Sequence, residues 1–445
     1  MKSINKLAVS AVLALSSVSA ASAAVTLFHV TGSTAFRAAD VSAEVAICGG
    51  TNAFATYYGS SLTGASLSVV QNGANGSDTI RFENNFTGSI GGDQAIEIPI
   101  SVTGFPLATG AGETPSQVSV APTQTTLASG GNGSVSAPAN TESAVPDVVF
   151  SDVNPATTGA AIIATASAGN NTPTVTVQSS VVGIIPFVFV GIATTDVTDF
   201  SSAVVTPQNF TFAWSVGQAP LSLFTGNVND ANTTVFPLGR DIDSGTRATA
   251  LAETGFGLNG SGAIAVTGAL SQNYPLDASN KIVGNDSTAG QIVGFETVPN
   301  ETIDGIRQNG GNGGYASGGN LAKAVAKGFA STASASAAIA YLGVSDATTA
   351  LGSTSTTLIP YNGVTFVPNV NTVANAQKIE QGQYTYWGYE YIVVKPTNSS
   401  IASQFVTEIV TDKLDQLASN GVILANMTVG RADDGLSVQP GESAP

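Results

Sequence analysis

Charge, sulfur and imidazole are all scarce in this chain. Only 10% of its 445 residues are Asp, Glu, Lys or Arg, and these lean acidic, with 14 basic against 30 acidic side chains. So few basic groups cannot serve nucleic acid, where binding is driven by Lys and Arg meeting phosphates. Cys48 is the single cysteine, which excludes an intrachain disulfide. His29 is the single histidine. These two counts remove most zinc sites and most arrangements in which a histidine activates a nucleophile. Residue spacing offers no metal cluster, and no cofactor is expected. No stretch reaches 18 uninterrupted apolar residues, so no transmembrane helix is predicted.

What is present is apolar and small. Hydrophobic residues make up 43% of the chain and 49 residues are glycine. The length suits two or three domains with a sizeable core. Residues 1–23 read as a secretory signal peptide. Lys2 and Lys6 form its basic start, Leu7 to Val18 its apolar stretch, and Ala21-Ser22-Ala23 fits the cleavage rule, so the mature chain should begin at Ala24.

One stretch organises the rest. An apolar run ends at Val235-Phe236-Pro237-Leu238, and Gly239-Arg240-Asp241-Ile242-Asp243-Ser244-Gly245-Thr246 follows. A short helical pattern then closes on Gly255. Strand, polar loop and helix place Ser244, Gly245 and Thr246 at a helix start, where free N–H groups and the helix dipole favour an anion. Arg240 supplies a planar, permanently charged fork. The simpler alternative is an N-capped helix on a surface loop.

Similar beginnings recur upstream. A strand from Ala24 to Val30 runs into Thr31-Gly32-Ser33-Thr34-Ala35 and a helix, where Ser33 or Thr34 could equally be a plain cap. Leu67–Val70 and Thr79–Phe82 form a predicted hairpin, followed by Gly88-Ser89-Ile90-Gly91-Gly92 at another helix start. The strand Asp147–Phe150 ends in Ser151-Asp152-Val153-Asn154-Pro155, where Asp152 fits either a turn or a ligand group.

Taken in order, these landmarks resemble the periplasmic phosphate-binding proteins, the type 2 solute-binding proteins of phosphate ABC importers. The resemblance covers most of the mature chain as scattered motifs. It implies an α/β, two-lobed type 2 periplasmic-binding-protein fold, with two crossing strands as hinge. Residues 24–185 would form the first part of lobe 1 and 186–388 lobe 2. Residues 389–445 would complete lobe 1 and the tail. It implies inorganic phosphate held by Thr34, the N–H of Ala35, Ser89, Asp152, Arg240, Ser244, Gly245 and Thr246. Asp152 would accept the proton that phosphate carries and sulfate lacks. The implied protein is a periplasmic or secreted monomer and not an enzyme, with an importer permease as partner. A surface protein that kept the fold and lost the ligand is the alternative. Two departures stand out. The Ser/Thr/Pro-rich stretch of about 101–146 is an insertion, and Ile242 and Asp243 replace the family's Asp-Gly after the arginine.

The remaining expectations concern packing. His29 should be a buried, neutral, hydrogen-bonded imidazole and Cys48 a core residue. The crossing strand around Ile184–Val190 and the aromatics of Tyr384–Val394 should fill the hinge and core. Gly318–Lys327 should be a helix, Ala337–Gly343 a strand, and Ser399–Ser419 one long helix. The glycine cluster at 310–319 carries no phosphate-loop lysine, so no nucleotide site is expected. The tail from Arg431 should be loose.

Overall fold

The computed structural model describes residues 25–442 and 444, apart from 75–76, 108–113, 135, 156–172, 257–269, 298–301, 304–305 and 308–312. The predicted signal peptide lies outside the described residues.

The chain forms two α/β lobes threaded by one continuous sheet. The first lobe is built on β1 (Thr26–Gly32), β2 (Phe54–Tyr58), β3 (Leu67–Gln71), β4 (Ile80–Asn85) and β10 (Val148–Ser151). Between β4 and β10 lie β5 (Val102–Pro106), β6 (Ser116–Val120), β7 (Ser129–Gly130), β8 (Asn132–Ser134) and β9 (Thr141–Ala144). The Ser/Thr/Pro-rich stretch therefore contributes five short strands. β6 and β8 extend the edge at β2, while β5 and β9 pair with each other. The second lobe holds β12 (Ala219–Pro220), β13 (Thr234–Leu238) and the two-stranded ladder of β14 (Asn273–Leu276) and β15 (Gly294–Thr297). It also holds β16 (Thr302–Ile303) paired with β17 (Ile306–Arg307), then β18 (Ser336–Gly343) and β19 (Thr356–Ile359).

Two antiparallel strands cross between the lobes: β11 (Gln178–Ala193) and β20 (Trp387–Val394). β11 pairs with β20 up to Pro186 and with β18 and β19 from Phe187 onward. Proline lacks an N–H, and Pro186 falls where the strand changes partners and least needs a donor. Its neighbours Val182, Ile184, Ile185 and Phe187 to Val190 are buried, as expected of an apolar, β-branched strand covered on both faces. Tyr384, Tyr386, Trp387, Tyr389 and Tyr391 are buried too, and Phe189 stacks on Tyr386 with ring centroids 5.0 Å apart. The aromatic stretch thus packs the hinge.

Five helices matter below: α1 (Arg37–Ile47), α2 (Ser89–Glu97), then, after α3 (Pro207–Val216) and α4 (Ser222–Thr225), α5 (Gly245–Thr254), α6 (Gly318–Lys327) and α7 (Val344–Leu351). α1, α2, α5 and α7 each begin directly after a strand or a short loop.

Two expectations fail. Ser399–Ser419 is not one helix. An α-helix covers Ser399–Val406, π-helical turns cover Thr407–Thr411, and Lys413 takes a left-handed conformation (φ 60°) before a 3-10 turn at Leu414–Leu417. The break lets Leu414 and Asp415 turn inward; Asp415 is buried and accepts from the N–H of Leu424 at 2.8 Å. The tail is not loose either. Val429-Gly430 pairs with Gln439-Pro440, and Arg431 is 1% exposed. Its guanidinium reaches Glu253 at 3.1 Å and the carbonyl of Thr385 at 2.7 Å, and lies 4.4 Å above the Trp387 ring. Reading the acidic, Gly- and Pro-bearing composition could not show that one buried arginine anchors the segment.

Candidate functional site

In open α/β sheets a ligand crevice forms beyond the carboxyl ends of the parallel strands. Here β1 is parallel to both β4 and β10, and β13 to β18. The loop after each of these five strands opens a helix or carries a site candidate. Thr34 and Ala35 follow β1, Ser89 follows β4 and Asp152 follows β10. Arg240, Ser244, Gly245 and Thr246 follow β13, and Gly343 ends β18 where α7 starts. The starts of helices from both lobes therefore face one another.

The tightest meeting joins Ser89, Asp152 and Gly245, all buried. The Ser89 hydroxyl donates to Asp152 Oδ1, and the Asp152 N–H donates back to Ser89 Oγ at 3.2 Å. A side chain at position 245 would overlap the Asp152 carboxyl and press on Ser89. Only glycine lets the start of α5 come this close. Thr249, one turn along α5, donates to the Asp152 carbonyl at 3.2 Å. Burial raises the Asp152 carboxyl to about 6, against the lowering effects of the Ser89 hydrogen bond and the Arg240 charge.

Ser244 caps α5: its hydroxyl accepts from the Arg247 N–H at 3.3 Å. The plain N-cap alternative is therefore present in full and coexists with the approach to Asp152. Thr246 is buried. Thr34 and Ala35 are half-buried, and Ala35 lies within 3.4 Å of where a Gly343 Cβ would stand, which brings the β1 loop to the start of α7.

Arg240 is 2% exposed and held by main-chain carbonyls. Its Nε donates to Tyr315 at 2.9 Å and its Nη2 to Ala316 at 3.0 Å. Those carbonyls, rather than a neighbouring carboxylate, orient it. Asp346 in the first turn of α7 comes close on the remaining side, where its carboxylate and Arg240 Nη1 both border Gly318 at the start of α6. Burial raises the Asp346 carboxyl, while Arg37, Arg240 and Lys323 draw it down. Asp241 is raised to about 6 by burial, offset partly by Arg240.

Residue patterns missed several members of this neighbourhood. Arg247 is 2% exposed and donates through Nη1 to the Arg240 carbonyl at 3.3 Å. The Asp243 carbonyl crosses between lobes and accepts from the N–H of Ile90 at 3.2 Å and of Gly91 at 3.4 Å, so it engages the free end of α2. Asp346 enters from α7, which carries no motif, and Arg37 opens α1 directly after the Ser33-Thr34-Ala35 loop. Arg247 and Arg37 could have been suspected from their places in or beside the loop motifs; Asp346 and the contact of the Asp243 carbonyl follow only from the fold.

His29 also differs from expectation. Burial opposes its charge, but hydrogen bonds to Asp147 and Glu142 and the nearby Glu83 outweigh that, so its pKa is raised and not lowered. Cys48 is buried among apolar residues, and burial pushes its thiol up.

No family model and no curated relative match the chain. Among solved structures it is similar to a protein of Clostridium perfringens assigned as a phosphate ABC transporter substrate-binding protein, with phosphate bound. The two share 12% identity over 88% of this chain and 96% of that one, with a TM-score of 0.41. It is also similar to an ABC-type phosphate transport receptor of Vibrio cholerae (10% identity, 87% and 96% covered, TM-score 0.38). A third likeness is to PstS of Borrelia burgdorferi (10% identity, 88% and 97% covered, TM-score 0.35).

Proposed function

We propose that this chain binds inorganic phosphate between its lobes, without chemistry of its own, and hands it to the permease of an ABC importer after export through its signal peptide. The observation that carries the reading is the placement of Asp152. It is a buried carboxylate acceptor set between the Ser89 hydroxyl and the start of α5. The donors are the hydroxyls of Thr34, Ser244 and Thr246, the N–H of Ala35 and of Gly245, and the Arg240 guanidinium, joined by the Ser89 hydroxyl once it turns from Asp152 to the anion. Phosphate near neutral pH carries a proton for the acceptor; sulfate does not. We place the hinge where β11 changes partners, at Pro186-Phe187, with lobe 1 at 24–185 and 389–445 and lobe 2 at 186–388.

Calorimetric titration tests this directly. Phosphate should give saturable heat at micromolar concentration, and sulfate none. A second reading, a surface protein that kept the fold without the ligand, is favoured by one observation. The Asp243 carbonyl already engages Ile90 and Gly91, groups an anion would otherwise meet. Absence of heat up to millimolar phosphate would decide for it.

A further inference from the structure

We propose that His29, Glu83 and Glu142 form a site for a first-row divalent cation, with zinc as the probe, which clamps the inserted strands onto the first lobe. The three side chains come from β1, β4 and β9, and their ligand atoms all lie within 4.8 Å of one another. His29 Nε2 stands 2.8 Å from Glu142 Oε1 and 3.9 Å from Glu83 Oε2. Ligands about 2.1 Å from a tetrahedral zinc ion are themselves about 3.4 Å apart, a value these two separations bracket.

The independent pointer is Glu83. It is fully buried, and the side chain its carboxyl meets is another acid, Glu142, a contact that only a proton or a cation can bridge. Its nearest cationic atoms, His29 Nε2 and Arg81 Nη1, both stand at 3.9 Å. Arg81 is committed elsewhere, donating to Asp78 through Nε at 3.0 Å and Nη2 at 2.8 Å. Two acids facing each other at a buried position are costly unless a proton or a cation sits between them, and a dication held by Glu83, Glu142 and the imidazole would take that place.

The surroundings already orient the imidazole as a ligand. His29 Nδ1 is 3.4 Å from Asp147 Oδ2, and the His29 N–H donates to the same oxygen at 3.1 Å. A carboxylate on Nδ1 leaves Nε2 to face the cation, the arrangement that commonly fixes metal-bound histidine. Asp147 is steadied in turn by Asn398 Nδ2, 3.3 Å from its other oxygen. Phe105 of β5 meets the His29 ring edge-on at 4.9 Å, which limits rotation. Glu142 is the least buried member, its side chain 36% exposed, and provides a path for the ion. One imidazole and two carboxylates leave room for water as a further ligand and suit zinc, cobalt or manganese. The consequence is structural. Glu142 sits on β9, which pairs with β5, so the bound ion would tie the insertion to β1 and β4.

The test uses the mature, full-length protein stripped with EDTA and titrated with zinc chloride by calorimetry at pH 7. One ion per chain should bind at micromolar Kd or tighter. Glu83→Gln and His29→Gln should weaken binding at least tenfold. Glu142→Gln, at the partly exposed position, should do the same while leaving the circular dichroism spectrum of the zinc-free protein unchanged. Hydrogen exchange of the Thr141–Ala144 amides should slow on zinc addition in the wild type and not in Glu142→Gln. Absence of zinc uptake, or uptake unchanged by Glu142→Gln, overturns the proposal.

Discussion

Ser89 and Asp152 are bonded twice: the serine hydroxyl donates to the aspartate carboxylate, and the aspartate N–H donates back to the serine oxygen at 3.2 Å. The pair joins the loop after β4 to the loop after β10 and turns a carboxylate toward the start of α5. Both residues are buried, so neither bond is shared with bulk water. The first two predictions rest on this pair and the glycine against it.

Asp152→Asn keeps the size of the side chain and can turn an NH2 toward an anion. Phosphate should lose affinity relative to sulfate by about 1.5–3 kcal/mol, the scale of a hydrogen bond to a charged group. The check is competition of sulfate against labelled phosphate in both proteins. In the wild type the same preference should fade as pH drops through about 6, where Asp152 takes up a proton and becomes a donor. A preference unchanged by the substitution would reduce Asp152 to a turn residue.

Gly245→Ala should abolish phosphate binding while the chain still folds. A Cβ there overlaps the Asp152 carboxyl, so α5 and the β10 loop must separate. Calorimetry combined with a thermal melt distinguishes loss of the site from loss of the fold. Full affinity in the alanine variant would show that the close approach is unnecessary.

Mild acid should stabilise the protein. Burial raises Glu44 and Glu83 to about 8, Glu97 to about 7, and Asp241 and Asp415 to about 6. A carboxyl with a folded value above its unfolded one favours the folded state when protonated. That contribution is complete below the unfolded value near 4 and is lost as pH rises through the folded value. The raised His29 acts in the same direction. The lowered groups Asp147, Glu142, Asp277 and Asp286 lose their contribution only as pH falls toward and below 4. The melting temperature should therefore be higher at pH 5 than at pH 8.5, by at least about 3 °C. A flat or opposite profile would mean that these carboxyls are solvated or paired.

Arg431→Ala should destabilise the fold by about 3–5 kcal/mol, because it leaves Glu253 buried without its partner. Arg431→Met combined with Glu253→Gln should recover part of that loss, since no unpaired charge then remains. Urea denaturation of the three proteins measures both effects. A loss below about 1 kcal/mol for the alanine variant would return the tail to the status of a loose end.

Local chemistry was legible along the chain. Apolar runs marked β1, β11, β13 and β18, because strands that enter the core admit little else. Glycine, serine and threonine after β1, β4 and β13 marked the starts of α1, α2 and α5, because the free N–H groups of a helix start need acceptors and close approach. What faces what was not legible. Arg240 is oriented by the carbonyls of Tyr315 and Ala316, and a carbonyl carries no signature in the sequence. Asp243 engages α2 through its backbone, so its side-chain identity gave no sign of the contact. His29, Glu83 and Glu142 lie far apart in the chain and meet because β1 pairs with β4 and β9 packs beside them. The kink at Lys413 and the anchoring of Arg431 were decided by which groups the core could bury. The sequence by itself determined where strands end and helices begin, since that depends on neighbours a few residues away. Only the tertiary structure decided which of those ends meet, since that depends on pairing between residues far apart in the chain, as in the bonds from Ser89 to Asp152 and from Thr385 to Glu253.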